Sequence, residues 1–530
     1  MDDPKTENYQ PEFEKFLKSY VIANKALTKK TTEANEKALS SVVLFEKVRA
    51  AVEYQEQHLV VKNTIARIIR RYTTLYPKID SNKLIEYLIS ELVWANYLHP
   101  DTIPSELPKR IQTILDRYLA ILSNARSGFR SKYEIQKFIT SMAGCEIEDA
   151  ISPKTKDDLI VNLAFSATYD LFENKIKWQN DDDHKLQIRM AYVRIILKPD
   201  VAQLQYQILK YLYPDWAKYS PEECKKIGKS LDPFMNTIDK KLNTPLRNRY
   251  FVGAKRFAAP FIVMRSTLES SELTEYEPVQ NRQRFVAYCM ENYRMLKIKS
   301  NQKVWTGIWR ALIFIFLTKL ILAFVIEVPV DRWLEGQIHI QALVFNLTLP
   351  PLLMLIAGLS IPKIPKRNEV VLEKTLEEIF SSAKIQADSF KVEPKSKSKS
   401  NKVFGVALSI FTLAVFTAVV WLLILIKFNF VSITLFFFFV SAVSFLSFRI
   451  RANSKELIMK RRREDSVTSL VELIFMPFIQ LGKSMSDGLN KYNPAMLFLD
   501  FFIEAPFKTI VRIMRSWLNF ISSKKEELEY

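Results

Sequence analysis

Apolar residues follow two different patterns along this 530-residue chain. Between residues 41 and 300 they recur at intervals of three and four. One such series is Ile111, Ile114, Leu115, Leu119 and Leu122. This spacing places the apolar side chains on one face of an α-helix, whereas strand-like alternation is rare. The region is therefore predicted to be a large, all-α domain.

The second pattern consists of continuous apolar runs, which occur only after residue 300. There are four, at Val304–Val328, Ala342–Ile361, Val403–Ile426 and Phe430–Phe448. As a helix, each is long enough to cross the roughly 30 Å hydrocarbon layer of a bilayer. The runs predict four transmembrane helices, arranged as two hairpins.

Basic residues predict the orientation of these helices. The segments beside the runs alternate between basic and poor in basic residues, in the order 294–303, 329–341, 362–402, 427–429 and 449–463. Because basic flanks stay on the cytoplasmic side, both termini are expected in the cytoplasm. The polar first residues show no signal-peptide pattern, which agrees with that expectation.

Changes in composition predict the domain organisation. Successive segments are a mobile or partly exposed helix (1–40), a cytosolic helical domain in which a loop near 181–184 is a candidate division into two subdomains (41–300), a first transmembrane hairpin (304–361), a cytosolic helix with a Lys/Ser linker (362–402), a second transmembrane hairpin (403–448) and a basic juxtamembrane segment with an interfacial helical tail (449–530). The helix before the first run is expected to continue into it.

Helix boundaries in the cytosolic domain are predicted from proline and capping residues. Pro77 and Pro214 each follow an apolar helical stretch, because proline cannot continue a helix. Ser81 and Ser220 come a few residues later and are expected to cap the next helices.

Polar residues within the first two runs form the candidate intramembrane site. They are Lys319, Glu327, Asn346, Pro350 and Pro351. A charge inside a membrane span often marks a substrate or ion pathway. The structural alternative is that Lys319 reaches the interface or pairs with Glu327, and that the two prolines bend the second span or make it re-entrant.

The candidate contacts with anionic lipid headgroups lie after the fourth run. They are Arg449, Arg451, Lys460, Arg461, Arg462, Arg463, Lys508, Arg512 and Arg515. The last three belong to a basic amphipathic stretch at 507–521, a pattern typical of helices in the membrane interface. Packing on the cytosolic domain or a partner, or a further span, are the alternatives for this stretch.

Composition gives little support for catalysis. The chain has 10 glycines, 3 cysteines and 4 histidines, and contains no phosphate-loop, zinc-ligand or nucleophile-elbow motif. The run Asp181–Asp183 is interpreted as part of a solvated loop rather than a cation site. No catalytic residue, cofactor or metal is predicted, and despite the net charge of +19 no nucleic-acid partner is expected.

Three classes of function are consistent with these patterns. The leading hypothesis is a membrane-anchored helical scaffold whose cytosolic domain binds a protein partner and whose basic tail contacts anionic lipids. The first alternative is a transporter, channel or insertase-like protein that uses the first two spans. The second is a membrane enzyme acting on lipid. Whether copies of the chain associate stays open.

Overall fold

The computed structural model describes residues 9–31, 59–77, 79–95, 97–98, 103–174, 180–270, 281–334, 340–359, 367–392, 399–454, 457–459, 473 and 475–485. The described chain is almost entirely helical, as the periodicity predicts. It divides into two compact units. The N-terminal unit comprises Met1–Lys303, Pro362–Val403 and Ser454–Arg462, and the apolar unit comprises Val304–Ile361, Phe404–Asn453 and Arg463–Tyr530.

The first twelve described helices belong to the N-terminal unit. They are α1 (Pro11–Thr31), α2 (Val60–Leu75), α3 (Ser81–Trp94), α4 (Leu107–Ser123), α5 (Lys132–Ile151), α6 (Thr155–Thr168), α7 (Asp181–Tyr192), α8 (Val201–Leu212), α9 (Pro221–Lys229), α10 (Leu231–Leu242), α11 (Arg247–Phe257) and α12 (Ala259–Glu269). A π-helical turn, Val193–Leu197, follows α7 directly.

The later helices include the long apolar ones. They are α13 (Arg282–Leu322), α14 (Val328–Leu334), α15 (Ile340–Leu359), α16 (Arg367–Ser382), α17 (Lys399–Leu425) and α18 (Phe430–Ser454). A second π-helical turn, Ala323–Glu327, joins α13 to α14, and residues 475–485 form α19. The predicted edges at residues 300 and 304 both lie inside α13, which is continuous as expected.

Capping agrees with the sequence at one predicted site and differs at another. Ser220 caps α9 in a capping box with Glu223, and α2 and α8 end close to the predicted prolines. The cap of α3, however, is Asp80, whose side chain accepts from the Lys83 amide, rather than Ser81. Asp80 is the N-cap because it directly precedes the helix, where its side chain can accept from the unpaired amides of the first turn.

The acidic run near residue 181 was predicted to be a loop, and this is wrong for Asp181–Asp183. These residues form the first turn of α7. Carboxylates are stabilised there because the helix N-terminus carries partial positive charge. Lys185 pairs with Asp181 and Lys241 with Asp183, so two of the three carboxylates also have a cationic partner in the fold.

One continuous hydrophobic core fills the N-terminal unit and extends into the segment between the second and third apolar runs. In that segment, Phe380 of α16 stacks on Phe285 with ring centroids 5.1 Å apart and contacts Phe13 of α1 at 4.6 Å. Part of α1 is therefore buried and part is exposed, which agrees with the predicted partly exposed helix. The segment 367–392 is an integral part of this core.

Two short parallel strands fix the same segment to the unit. β1 (Phe172–Asn174) pairs with β2 (Phe390–Val392), in the register Phe172 to Phe390. Because Gly253 of α11 has no Cβ, both phenylalanine rings can lie against the backbone of α11. A Cβ there would lie 2.7 Å from each ring. Buried His184 shares a 2.7 Å hydrogen bond with the Tyr250 hydroxyl. Burial lowers the pKa of the His184 imidazole.

A buried polar network lies inside this core, around Glu146 of α5. Its carboxylate accepts from Arg117, from the Tyr118 hydroxyl at 2.9 Å and from Trp216 Nε1 at 2.9 Å. Such a group is stable in the core because its acceptors are used, whereas a buried carboxylate without partners is strongly destabilising.

In the described residues, three helical segments are long and apolar enough to cross a membrane. They lie within Arg282–Trp333, at Val406–Leu425 and at Phe430–Phe448. The second predicted run is not among them: the apolar stretch found in α15, Leu343–Ile356, is shorter, and it is bounded by residues whose side chains are not described.

Close packing of α2 against α5 provides a stability test. A Cβ at Gly144 would lie 2.9 Å from the Lys62 carbonyl oxygen, so a larger side chain must displace backbone. We expect Gly144→Val to lower the free energy of unfolding by about 1–3 kcal/mol, the usual effect of overpacking. Denaturant unfolding of the full chain in detergent measures it.

The matched control is Gly128→Val, because a Cβ at Gly128 meets nothing within 4 Å. Its effect should stay within about 0.5 kcal/mol, as for other surface changes. Equal stability of the two variants would contradict the close α2–α5 approach.

Candidate functional site

A proline shapes the backbone of the candidate intramembrane site. Pro329 lacks an amide hydrogen, and its ring would collide with the carbonyl of Val325, four residues earlier. The helix widens around Val325 into the π-helical turn Ala323–Glu327, and the Val328 amide bonds to the Ala323 carbonyl five residues back. This extra residue in the turn brings Glu327 to the side of the helix that carries Lys319.

Lys319 and Glu327 form an ion pair. Lys319 Nζ lies 2.8 Å from Glu327 Oε1, and both side chains are buried, with Lys319 at 0% exposure. A lone charge at the middle of a membrane is unfavourable by at least about 2.5 kcal/mol, whereas a hydrogen-bonded pair has no net charge. The pairing that the sequence offered as the structural alternative is therefore present in the fold.

Asn346 of α15 joins the pair. Its Nδ2 donates to the same Glu327 Oε1 at 2.9 Å, which links α15 to the helix that carries Glu327. Pro350, one turn further along α15, is buried and Pro351 is partly exposed. The structure thus brings Lys319, Glu327 and Asn346 into direct contact. Pro350 and Pro351 lie on the helix of Asn346, α15, and take no part in these polar contacts.

An aromatic ring completes the surroundings of the ammonium group. Lys319 Nζ lies 4.9 Å from the centroid of the Phe439 ring in α18. The negative face of an aromatic ring attracts a cation, and the attraction grows when water is excluded. Helices α13, α15 and α18 therefore meet at one charge.

Some polar atoms in the apolar unit have no hydrogen-bond partner. Among the described residues these are Asn346 Oδ1, Ser441 Oγ and Ser444 Oγ, all buried. Ser441 lies where Gly482 of α19 packs closely on α18, an approach that a side chain at residue 482 would prevent. A described part of the tail thus packs among the apolar helices, with Phe478 stacked on Phe437 at 5.8 Å.

A second polar contact in this unit was missed by the sequence. Asn429, in the short turn between α17 and α18, donates to Asp331 of α14 and also accepts from the Ser432 amide at 2.7 Å. Asp331 is buried. The sequence does show Asp331 as an acidic residue in a short link rich in apolar residues, which could have marked it as a polar contact. Nothing in the sequence indicated Asn429 as the partner of Asp331.

The candidate lipid contacts lie largely outside the described residues. Arg449 and Arg451 fall within α18, and nothing is described of their side chains; the remaining seven, from Lys460 to Arg515, are not described at all. Their interaction with anionic lipid stays a prediction.

The N-terminal unit contains a cavity of about 360 Å³ that the sequence did not indicate. It lies between α5, α6, α8, α12 and the π-helical turn Val193–Leu197. Four carboxylates line it: Glu148, Asp149, Asp157 and Glu269. Three cationic residues accompany them: Lys154, Lys198 and Arg265.

Arg265 is the central cation of this cavity. Its guanidinium lies 2.9 Å from Asp157 and 3.1 Å from Glu269, and it donates to the Ile196 carbonyl at 2.8 Å. Burial raises the pKa of both the Asp157 and Glu269 carboxyls, against the lowering effect of Arg265. We call Asp157, Glu269 and Arg265 the acidic corner.

The described residues show no gathering of three His, Cys, Asp or Glu side chains that could hold a metal ion. No protein-family model, curated protein or solved structure matches this chain.

The ion pair predicts strongly non-additive substitutions. Lys319→Leu or Glu327→Leu leaves one buried charge without its partner, which is unfavourable by about 3–5 kcal/mol in protein interiors. We expect each single variant to be markedly less stable in detergent than the parent chain. The double variant should be more stable than either, because it leaves no charge unpaired.

Thermal unfolding of the four proteins measures the coupling. Leu317→Ala is the control, since Leu317 is exposed on the same helix and should change stability little. A double variant that loses the sum of the two single effects would show that the charges act independently.

Proposed function

We propose that this protein is a membrane-anchored helical scaffold whose N-terminal unit binds a protein partner on the cytoplasmic side. The observation that carries the proposal is the ion pair of Lys319 with Glu327, to which Asn346 also bonds. Charged groups that bond to each other hold helices together, which is what an anchor requires. The large helical unit then provides the surface for recognition.

An exposed aromatic patch supports partner binding. Tyr72, Tyr76 and Tyr87 lie together where α2 ends beside α3, with the Tyr72 and Tyr87 rings stacked at 4.5 Å. Tyr76 is 55% exposed and neighbouring Leu75 is 58% exposed. Tyrosine is enriched in protein–protein interfaces, because it offers a large, rigid and partly polar contact surface.

The proposed topology has four crossings. In it, the 20-residue helix α15 crosses as a bent additional span, and both chain ends face the cytoplasm. The alternation of basic flanks supports this arrangement. Basic residues after α18 and in the 507–521 stretch would contact anionic headgroups, at about 1 kcal/mol each.

A transporter, channel or insertase-like activity is the second candidate. Asn346 Oδ1, buried and without a hydrogen-bond partner beside the ion pair, favours it. An unpaired acceptor at such a position could receive a polar group of a passing substrate. On this alternative, Lys319 and Glu327 would separate during transport.

Cysteine labelling tests the topology. All three native cysteines are buried. Burial raises the pKa of the thiols, to about 11 for Cys224 and about 12 for Cys289, so an impermeant thiol reagent should leave the parent chain unlabelled in intact cells. A cysteine at Gly336 should be labelled from outside, and one at Ser381 only after permeabilisation. The reverse pattern contradicts the topology.

Crosslinking in native membranes followed by purification tests the scaffold. We expect one reproducible partner with the parent chain, and its loss with Tyr76→Ala combined with Tyr87→Ala, since central interface tyrosines often contribute about 2 kcal/mol or more. Tyr133→Ala is the matched control, because Tyr133 is equally exposed on another helix, α5. Partner loss in both variants, or liposome flux abolished by Lys319→Leu, would count against the scaffold.

A further inference from the structure

The cavity of the N-terminal unit has the size of a small-molecule site. Its volume, about 360 Å³, lies within the range of roughly 300–1,000 Å³ found for ligand pockets. Helices α5, α6, α8 and α12 surround it. Its apolar wall is formed by Val193, Ile195, Ile196, Leu197 and Ile262.

The charges of the lining residues favour a cation. The lining contains four carboxylates and three cations, and two of these cations serve lining carboxylates: Lys154 donates to Glu148 at 2.7 Å, and Arg265 serves both Asp157 and Glu269. Asp149 is reached from outside the lining by Lys210, at 3.2 Å. At the acidic corner, by contrast, two carboxylates share one guanidinium, that of Arg265.

The backbone adds to this preference. The π-helical turn Val193–Leu197 ends α7 in the cavity wall, and Lys198 follows in the left-handed region with φ 48°. Carbonyls at a helix C-terminus lack intrahelical partners and carry partial negative charge. Arg265 already donates to one of them, Ile196, so this wall holds a cationic group in the fold as it stands.

We propose that this cavity binds a small organic cation, with an ammonium or guanidinium group at the acidic corner and an aliphatic body along Val193, Ile195 and Ile262. Two carboxylates and the end of a helix recognise the charge, and the apolar wall recognises the chain. This binding does not depend on the scaffold proposal, since it concerns a cavity rather than the aromatic patch.

Calorimetric titration of the full chain in detergent tests the proposal, with cadaverine as the cationic probe. Pentanediol and glutarate, its neutral and anionic counterparts, are the comparison probes. We expect saturable binding of cadaverine at one site and none of the other two. Glu269→Gln should weaken cadaverine binding about tenfold or more, because a charge-assisted hydrogen bond is lost.

Glu222→Gln is the matched control, since Glu222 also pairs with a nearby cation, Lys225, but lies outside the cavity. It should leave cadaverine binding unchanged. Ser266→Phe fills the cavity without altering its charge and should abolish binding; it decides the matter if Glu269→Gln does not fold.

Three results would overturn the proposal. One is the lack of saturable cadaverine binding, and another is equal binding of all three probes. The third is equal weakening by Glu222→Gln and Glu269→Gln, which would show attraction to acidic surface in general.

Discussion

The pairing of Lys319 with Glu327 governs the arrangement of the apolar unit. A charge that is shielded from water requires a partner, and this requirement draws Asn346 and the Phe439 ring to the same place. The pairing itself depends on Pro329, because the proline widens the preceding helical turn and thereby presents Glu327 to Lys319. One backbone constraint therefore positions groups from α13, α15 and α18.

The same backbone device occurs in the N-terminal unit. Pro199 comes two residues after the π-helical turn Val193–Leu197, as Pro329 does after Ala323–Glu327. In each case the carbonyl four residues before the proline belongs to the middle residue of the wide turn. At Pro329 the helix resumes, whereas at Lys198 the chain turns into the left-handed region and the helix ends. The first turn places an ion pair, and the second forms a wall of the cavity.

The core of the N-terminal unit depends on a segment that is distant in sequence. Phe380, Phe390 and Val392 come from the stretch between the second and third apolar runs, yet they join the same core as Phe13 and Phe172. The separation in sequence hides this association, because the Lys/Ser composition nearby indicates a linker. Burial of phenylalanine rings outweighs that local tendency.

Periodicity and apolar length by themselves determined the helical class, the apolar helices, the continuous α13 and the nearness of Lys319 to Glu327, since these follow from local spacing. Tertiary structure decided what local spacing cannot express. It determined that Asn346 bonds to Glu327, that Asp331 meets Asn429, and that Asp157, Glu269 and Arg265 surround one cavity. Those groups come from different helices, and only the packing of those helices sets the distances between them.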